Sequence, residues 1–316
     1  MKANQRTTSL GFTLIELLVS LVITTIIVTI LVTVTVTSLD IWNRSRSEVR
    51  ASLQGKAMID SMAADFESMA VRSGNNFQWL YAKYATPASG PNNNLSPNAL
   101  DLIFFSAATD RYEGQVGVTG KDLGGDISTI AYQLNYKDPI GDANIEKFKT
   151  FVLYRKIVDP KPTFDNLLGK TTLKSSFDTY AASGANAINA KQNFICENIY
   201  QFSLKFHIDV IDKNNLIKKT SIIISSANPD FIVTGNGLVG PTLANTGLNS
   251  NDFNDPAAAA AALAAGKINS VEVSLTVLTD FAIKQLHGRN FNDEQLSDFI
   301  AQNSYQYSKL ISVPSY

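Results

Sequence analysis

The strongest pattern in the sequence is a run without charged side chains, from Leu17 to Leu39. About 20 apolar residues in a helix span the hydrocarbon core of a bilayer, so this run predicts one transmembrane helix. Its many threonines are compatible with lipid because a helical threonine hydroxyl can bond to a carbonyl of the preceding turn. A secretory signal peptide is a poor match, since its apolar part is shorter and is followed by its cleavage site.

Helical periodicity continues past the apolar run. Apolar side chains recur at spacings of three and four residues at Ile59, Met62, Ala63, Phe66, Met69 and Ala70, which defines one face of an amphipathic helix. Gly55 interrupts this helix mildly and permits a bend, and the Ser73-Gly74-Asn75-Asn76 sequence predicts its end. We therefore predict one long helix with a transmembrane half over residues 12–40 and an amphipathic half over residues 41–73.

Strand patterns fill the rest of the chain, which we interpret as a sheet domain over residues 74–316. Strands are predicted at 99–106, 130–136, 148–157, 202–210, 271–277 and 305–313, the last as an edge strand before Pro314. Alternating apolar and polar positions favour an antiparallel sheet covered on one face. The amphipathic half of the helix needs such a sheet as its partner. The predicted fold class is therefore α+β, a long N-terminal helix packed on an antiparallel β-sheet with loop and short-helix insertions.

Several segments are predicted to lie outside this sheet. Residues 86–98 and 114–126 have the composition of loops. An insertion near 234–266 combines a polar loop, Thr234–Asp255, with a short surface helix that has Asp255 as its N-cap, Pro256 in its first turn and Gly266 after its end. A further helix is predicted from Asn292 to about Asn303.

Glu16 is the unusual residue of the N-terminal segment. A carboxylate inside an apolar helix is costly to insert into a membrane. We therefore expect Glu16 to have a function and a cationic partner. If the chain were cut between Gly11 and Phe12, the new amine of Phe12 on a neighbouring subunit would be a suitable cation. The pair would neutralise both charges and set the axial register between subunits. The simpler alternative is a glutamate that reaches out of the membrane to the interface.

The sequence Gly11-Phe12-Thr13-Leu14-Ile15-Glu16-Leu17-Leu18-Val19 resembles the processing and methylation site of type IV pilins and type II secretion pseudopilins. This resemblance implies that a prepilin peptidase removes a leader, residues 1–11, and that Phe12 becomes N-methylated. It also implies that Glu16 is the filament-assembly residue. Expected partners are the peptidase, other pilin or pseudopilin subunits, an inner-membrane assembly platform and membrane lipid.

The resemblance also implies an orientation in the membrane. Lys2 and Arg6 favour a cytoplasmic N-terminus, whereas three arginines that follow the span, Arg44, Arg46 and Arg50, weigh against it. The leader-type motif favours a single pass of the inner membrane with residues 41–316 in the periplasm. These residues are expected to form a pilin-like globular domain that enters a filament after assembly. The machine is either a type II secretion system or a type IV pilus.

The order of one long helix followed by strands is similar to pilin architecture, and most similar to that of larger minor pseudopilins. Cys196 is the only cysteine, so the disulfide-closed loop of many pilins is excluded. One class of minor pseudopilin at the filament tip lacks the conserved glutamate. Because Glu16 is present here, that extreme tip role is disfavoured.

Catalytic chemistry is not predicted. The net charge of −1 disfavours nucleic-acid binding. Cys196 is interpreted as a half-buried thiol at the start of a strand, and His207 and His287 as solvent-facing residues without metal-ligand spacing. Two acidic groups, Asp122 with Asp126 and Asp252 with Asn254 and Asp255, could supply oxygen ligands to calcium, but their spacing does not match an EF-hand loop. We predict no catalytic residue, metal or cofactor. The competing hypothesis is a membrane-anchored periplasmic enzyme or carbohydrate-binding module that uses this type of leader.

Overall fold

A computed structural model describes the chain at residues 13–85, 90–94, 96, 99–107, 125–140, 145, 148–182, 184–242, 246–248 and 250–314. The predicted leader, Gly11 and Phe12 lie outside the described residues, as do most of the two loops predicted at 86–98 and 114–126.

The described residues form six α-helices and eleven strands. The helices are α1 (Leu14–Glu67), α2 (Pro160–Asn166), α3 (Leu173–Tyr180), α4 (Pro256–Ala264), α5 (Asp280–Gly288) and α6 (Asp293–Asn303). The strands are β1 (Gln78–Ala85), β2 (Ala99–Ala107), β3 (Ile127–Lys137), β4 (Thr150–Val158), β5 (Phe194–Glu197), β6 (Ile199–Ile211), β7 (Ile217–Ile223), β8 (Asp230–Thr234), β9 (Gly237–Val239), β10 (Lys267–Leu278) and β11 (Ser304–Ser312).

The chain divides into two units, with the boundary between Val49 and Arg50 inside α1. In the first unit the described residues form a single helical segment. Its large apolar side chains are exposed from Leu14 to Trp42, so the segment needs lipid or other protein to cover it.

The second unit contains two antiparallel sheets, where the sequence predicted one. The larger sheet has the strand order β5-β4-β3-β2-β1-β8-β9, and the smaller has the order β11-β10-β6-β7. Each of the six predicted strands overlaps an observed strand, and β11 is an edge strand as predicted. The α+β, pilin-like fold class is confirmed.

The main core of the second unit lies where the α1 residues after Arg50 meet the inner faces of both sheets. Met62 and Phe66 of α1 are fully buried there, and the Phe66 ring stacks on Phe104 of β2 with centroids 4.8 Å apart. Phe206 of β6 stacks on Phe231 of β8 at 4.1 Å, which joins the two sheets. Each such buried aromatic side chain contributes about 1.5–3 kcal/mol by burial.

A smaller core lies on the outer face of the seven-stranded sheet, beneath α2 and α3. Its buried residues are Trp79, Tyr81, Ile103, Phe105, Ala131, Val158, Leu167, Leu173 and Phe177. Both faces of β1, β2 and β3 are therefore covered, whereas the sequence predicted a sheet covered on one face.

The amphipathic helix ends earlier than predicted. α1 stops at Glu67, and Met69 forms a bridge with Ser106 of β2. The Ala70 N–H donates to the Phe105 carbonyl at 2.8 Å, and the Ala107 N–H donates to the Ser68 carbonyl at 2.8 Å. These backbone bonds replace the helical ones, although Met69 continues the apolar spacing of the helix.

The described residues of the insertion near residues 234–266 include a strand and are more buried than predicted. Its first part belongs to a hairpin of β8 and β9 at the edge of the larger sheet. Helix α4 begins as predicted, with Asp255 Oδ1 accepting from the Ala258 N–H at 2.6 Å. However, Ala259 and Leu263 of α4 are buried in the main core, so the helix is not a surface addition.

Gly55 provides close packing rather than a bend, since α1 continues through it without interruption. A methyl group at this position would lie 2.6 Å from Cδ2 of Tyr307 in β11 and 3.0 Å from Cγ2 of Val277 in β10. The absence of a side chain at Gly55 lets the helix approach both strands.

Gly55→Ala is therefore expected to lower the free energy of unfolding by about 1 kcal/mol. Overpacking costs about 1–3 kcal/mol and outweighs the gain in helix propensity of about 1 kcal/mol. Denaturant unfolding of the detergent-solubilised chain measures the change. Gly288→Ala is the matched control, because a methyl group there meets nothing within 4 Å. Equal stability of the two variants would contradict this account of Gly55.

Candidate assembly site on the N-terminal helix

Thr13 and Glu16 form a closed set of hydrogen bonds at the start of α1. The N–H and hydroxyl of Thr13 both donate to Glu16 Oε2 at 2.9 Å, and the Glu16 N–H donates to Thr13 Oγ1 at 3.3 Å. This is a capping box, whose signature is a threonine three residues before a glutamate. It also holds the carboxylate at the positive end of the helix dipole.

The capping box determines where the Glu16 carboxylate lies. It is held against the backbone of Thr13, the residue that directly follows Phe12 in the chain. The Thr13-Leu14-Ile15-Glu16 spacing was the available sequence signal for this cap. Phe12 and Gly11 lie outside the described residues, so the pairing of Glu16 with the amine of Phe12 stays a prediction, as do cleavage and methylation.

Seven hydroxyls of the apolar run, including those of its six threonines as predicted, are satisfied within the helix. Each donates to a backbone carbonyl three or four residues earlier, at 2.7–2.9 Å; the donors are Ser20, Thr24, Thr25, Thr29, Thr33, Thr35 and Thr37. Among the described residues α1 is the one helix long and apolar enough to cross a membrane. It is consistent with a single-pass membrane anchor.

Two of the three arginines that follow the apolar run, Arg44 and Arg50, have acidic partners. In the first unit, Arg44 Nε lies 3.1 Å from Glu48 Oε1, one helical turn later. In the second unit, Arg50 pairs with Glu197 at the end of β5 and lies 3.5 Å from Asp280 at the start of α5. Burial raises the pKa of Glu197, while the Arg50 charge opposes that shift. These pairs reduce the positive charge that follows the span.

A buried ion pair that sequence reasoning missed fastens α1 to the larger sheet. Arg155 of β4 donates to Asp65 of α1 from Nε at 2.8 Å and from Nη2 at 2.5 Å, and the Tyr132 hydroxyl of β3 donates to the same carboxylate. Burial and the Asp65 charge raise the pKa of Tyr132 well above its usual value. The sequence signal was a single acidic residue, Asp65, three residues after Met62 on the apolar side of the helix.

The remaining candidate residues have structural surroundings. Cys196 is buried in β5, and burial raises the pKa of its thiol to about 12. His207 is partly exposed, with Nε2 3.7 Å from Glu272 Oε2. His287 lies in α5, and its Nε2 is 3.0 Å from the Lys149 carbonyl oxygen.

Two of the acidic residues considered for calcium have other partners in the structure. Asp252 Oδ1 lies 3.4 Å from Lys218 Nζ, and Asp255 caps α4. Asp122 lies outside the described residues. Within the described part of the chain no three His, Cys, Asp or Glu side chains are grouped as metal ligands.

The fold and the N-terminal site define a class, a pilin-like protein with a prepilin-type leader. Residues 6–32 match a protein family described as the prokaryotic N-terminal methylation motif, and this match supports a type IV pilin-like leader in front of α1. The matched range contains Gly11, Phe12 and Glu16. No curated protein and no solved structure matches the chain.

Proposed function

We propose that this protein is a minor pilin or pseudopilin, a structural subunit of a type II secretion or type IV pilus-like filament rather than an enzyme. The observation that carries the proposal is the methylation motif at residues 6–32, directly before an uncharged helix that continues into a sheet domain. A prepilin-type leader implies processing by a prepilin peptidase and assembly with other pilins.

In this proposal the two halves of α1 have different tasks. The part up to Val49 anchors the chain in the inner membrane and later packs against the helices of neighbouring subunits. The part from Arg50 to Glu67 carries the periplasmic domain, because its buried side chains and the Asp65 ion pair fix it to the sheets. An inner-membrane assembly platform would move the subunit from the membrane to the filament.

The assembly step depends on Glu16 and Phe12. Before assembly the capping box satisfies Glu16 Oε2 within its own helix, which lowers the cost of a carboxylate among apolar residues. In the filament the methylated amine of Phe12 from a neighbouring subunit would supply the opposite charge. This pair would fix the axial register between subunits.

Processing is tested by the intact mass of the chain purified from membranes. We expect a mature chain that starts at Phe12 and carries one added methyl group. A parallel preparation from cells without the prepilin peptidase should retain residues 1–11. An uncut, unmethylated N-terminus in the presence of the peptidase would contradict the proposal.

A further inference from the structure

An exposed face of α1 follows the apolar run, at the end of the first unit. Trp42, Arg46 and Val49 recur at spacings of four and three residues, so they share one side of the helix. Trp42 is 68% exposed and Val49 is 55% exposed, and Arg46 is exposed as well. We call these three residues the Trp42 face. An exposed tryptophan beside a membrane span is typical of the layer where lipid headgroups meet water.

The position of this face along the helix places it at the headgroup layer. The uncharged run from Leu17 to Leu39 is about 35 Å long, which matches a hydrocarbon core of about 30 Å with some tilt. In a membrane, Trp42 then lies about 4–5 Å beyond the core and Arg46 about 10 Å beyond it. The headgroup layer is about 5–8 Å thick. Because helical side chains slope toward the N-terminus, the long Arg46 side chain is directed back toward this layer.

Arg46 differs from the other charged residues near the span because it has no acidic partner. Asp40, Arg44 and Glu48 follow one another at four-residue spacings on a different side of the helix, and Arg44 Nε is 3.1 Å from Glu48 Oε1. Asp40 lies about 120° around the helix from Arg46. Among the described residues no hydrogen bond or ion pair holds the Arg46 guanidinium. The Trp42 face therefore carries one unbalanced positive charge.

An unpaired arginine beside an amphipathic tryptophan selects an anionic lipid. A guanidinium binds phosphate oxygens through two parallel N–H bonds, and an indole ring lies among the ends of the acyl chains with its N–H toward the headgroups. A zwitterionic headgroup also contains a phosphate, but its own amine balances the charge. The net charge of an anionic headgroup is not balanced, and one arginine near the surface enriches it about fivefold.

We propose that the Trp42 face binds the headgroup of an anionic phospholipid, with Arg46 on the phosphate and Trp42 at the boundary of the acyl chains. This inference rests on the membrane anchor of the proposed function, but not on Glu16 or on leader processing. It adds a lipid preference to that anchor. Transfer of the subunit from the membrane to a filament would have to break this contact.

The test is quenching of tryptophan fluorescence by brominated lipids in vesicles that hold the full-length chain. Trp42 and Trp79 are the tryptophans of the sequence, and Trp79 is 3% exposed in the smaller core of the second unit. The quenching that is lost in Trp42→Phe therefore belongs to Trp42. Brominated phosphatidylglycerol and brominated phosphatidylcholine are compared at the same fraction in phosphatidylcholine vesicles. We expect phosphatidylglycerol to be enriched about fivefold around Trp42 at low ionic strength and less at high salt.

Two variants identify the charge that is responsible. Arg46→Gln should remove the preference for phosphatidylglycerol but keep quenching by both lipids, because the span and Trp42 stay in place. Arg72→Gln removes the same charge from an exposed residue of the second unit, so it should keep the preference. Both arginines are exposed, and neither substitution is expected to change the unfolding temperature.

The possible outcomes separate the lipid site from the anchor itself. Equal quenching by the two brominated lipids, or a preference that Arg46→Gln retains, would overturn the lipid site and leave the anchor intact. A preference that disappears when inorganic phosphate is added at constant ionic strength would indicate a site for free phosphate and would also overturn it. No quenching of Trp42 by either lipid would contradict both the site and the anchor.

Discussion

Glu16→Ala is expected to leave leader processing intact and to reduce incorporation of the chain into filaments at least tenfold. Without the carboxylate, the charged amine of Phe12 in a neighbouring subunit has no partner among apolar helices. An unpaired charge in such surroundings costs about 2.5–3.5 kcal/mol on membrane-insertion scales. The measurement is the ratio of this chain in sheared filaments to the chain left in membranes.

Two further variants distinguish the charge of Glu16 from its role as a cap. Thr13→Ala removes the cap but keeps the carboxylate, so it should cost only about 0.5–2 kcal/mol of helix stability and reduce assembly less than Glu16→Ala. Glu48→Ala removes an exposed glutamate whose pair with Arg44 contributes about 1 kcal/mol at most, so it should assemble normally. Normal assembly of Glu16→Ala would contradict the filament proposal.

Arg155→Met is expected to lower the free energy of unfolding by about 3–5 kcal/mol. The substitution leaves the Asp65 carboxylate buried between α1 and the sheet without its cation, and a broken buried pair has this cost. The Asp65 side chain is 8% exposed and the Arg155 side chain 22%, so water cannot replace the lost contact fully. Denaturant unfolding of the solubilised chain, followed by near-ultraviolet circular dichroism, measures the effect.

An exposed ion pair between α1 and β11 serves as the control. Lys309 Nζ lies 2.8 Å from Asp60 Oδ1, with side chains 41% and 53% exposed, so Lys309→Met should cost about 1 kcal/mol or less. The double variant Asp65→Leu with Arg155→Met removes both charges and should recover much of the lost stability. If Arg155→Met were no more destabilising than Lys309→Met, the buried pair would not be what fastens α1 to the sheet.

Much of the fold could be predicted because its elements have simple periods. The uncharged run that ends at Leu39 predicts a membrane-spanning helix. In strands such as β6 and β10, apolar and polar residues alternate because one face of the smaller sheet is buried. The caps of α4 and α6 were also readable, since Asp255 and Asn292 are strong N-cap residues.

The missed elements have physical reasons. β1 has four consecutive buried residues, from Trp79 to Ala82, because helices cover its outer face, and a strand buried on both faces does not alternate. The division into two sheets depends on pairing between strands far apart in sequence, as between β1 and β8. No local pattern specifies such pairing.

The N-terminal site and the buried Asp65–Arg155 pair differ in the same way. The N-terminal site is contiguous, so its motif and its capping box could be read from Thr13 and Glu16. The ion pair joins α1 to β4, which meet only after folding, so no local pattern specifies it.

The central claim is that this chain is a processed subunit of a filament. Its most direct test is mass spectrometry of the N-terminal peptide of this chain in a sheared filament fraction. We expect a peptide that begins at N-methylated Phe12, present in the wild type and reduced at least tenfold in the filament fraction of Glu16→Ala cells. A chain that is found only in membranes, or that enters filaments with residues 1–11 attached, would contradict it.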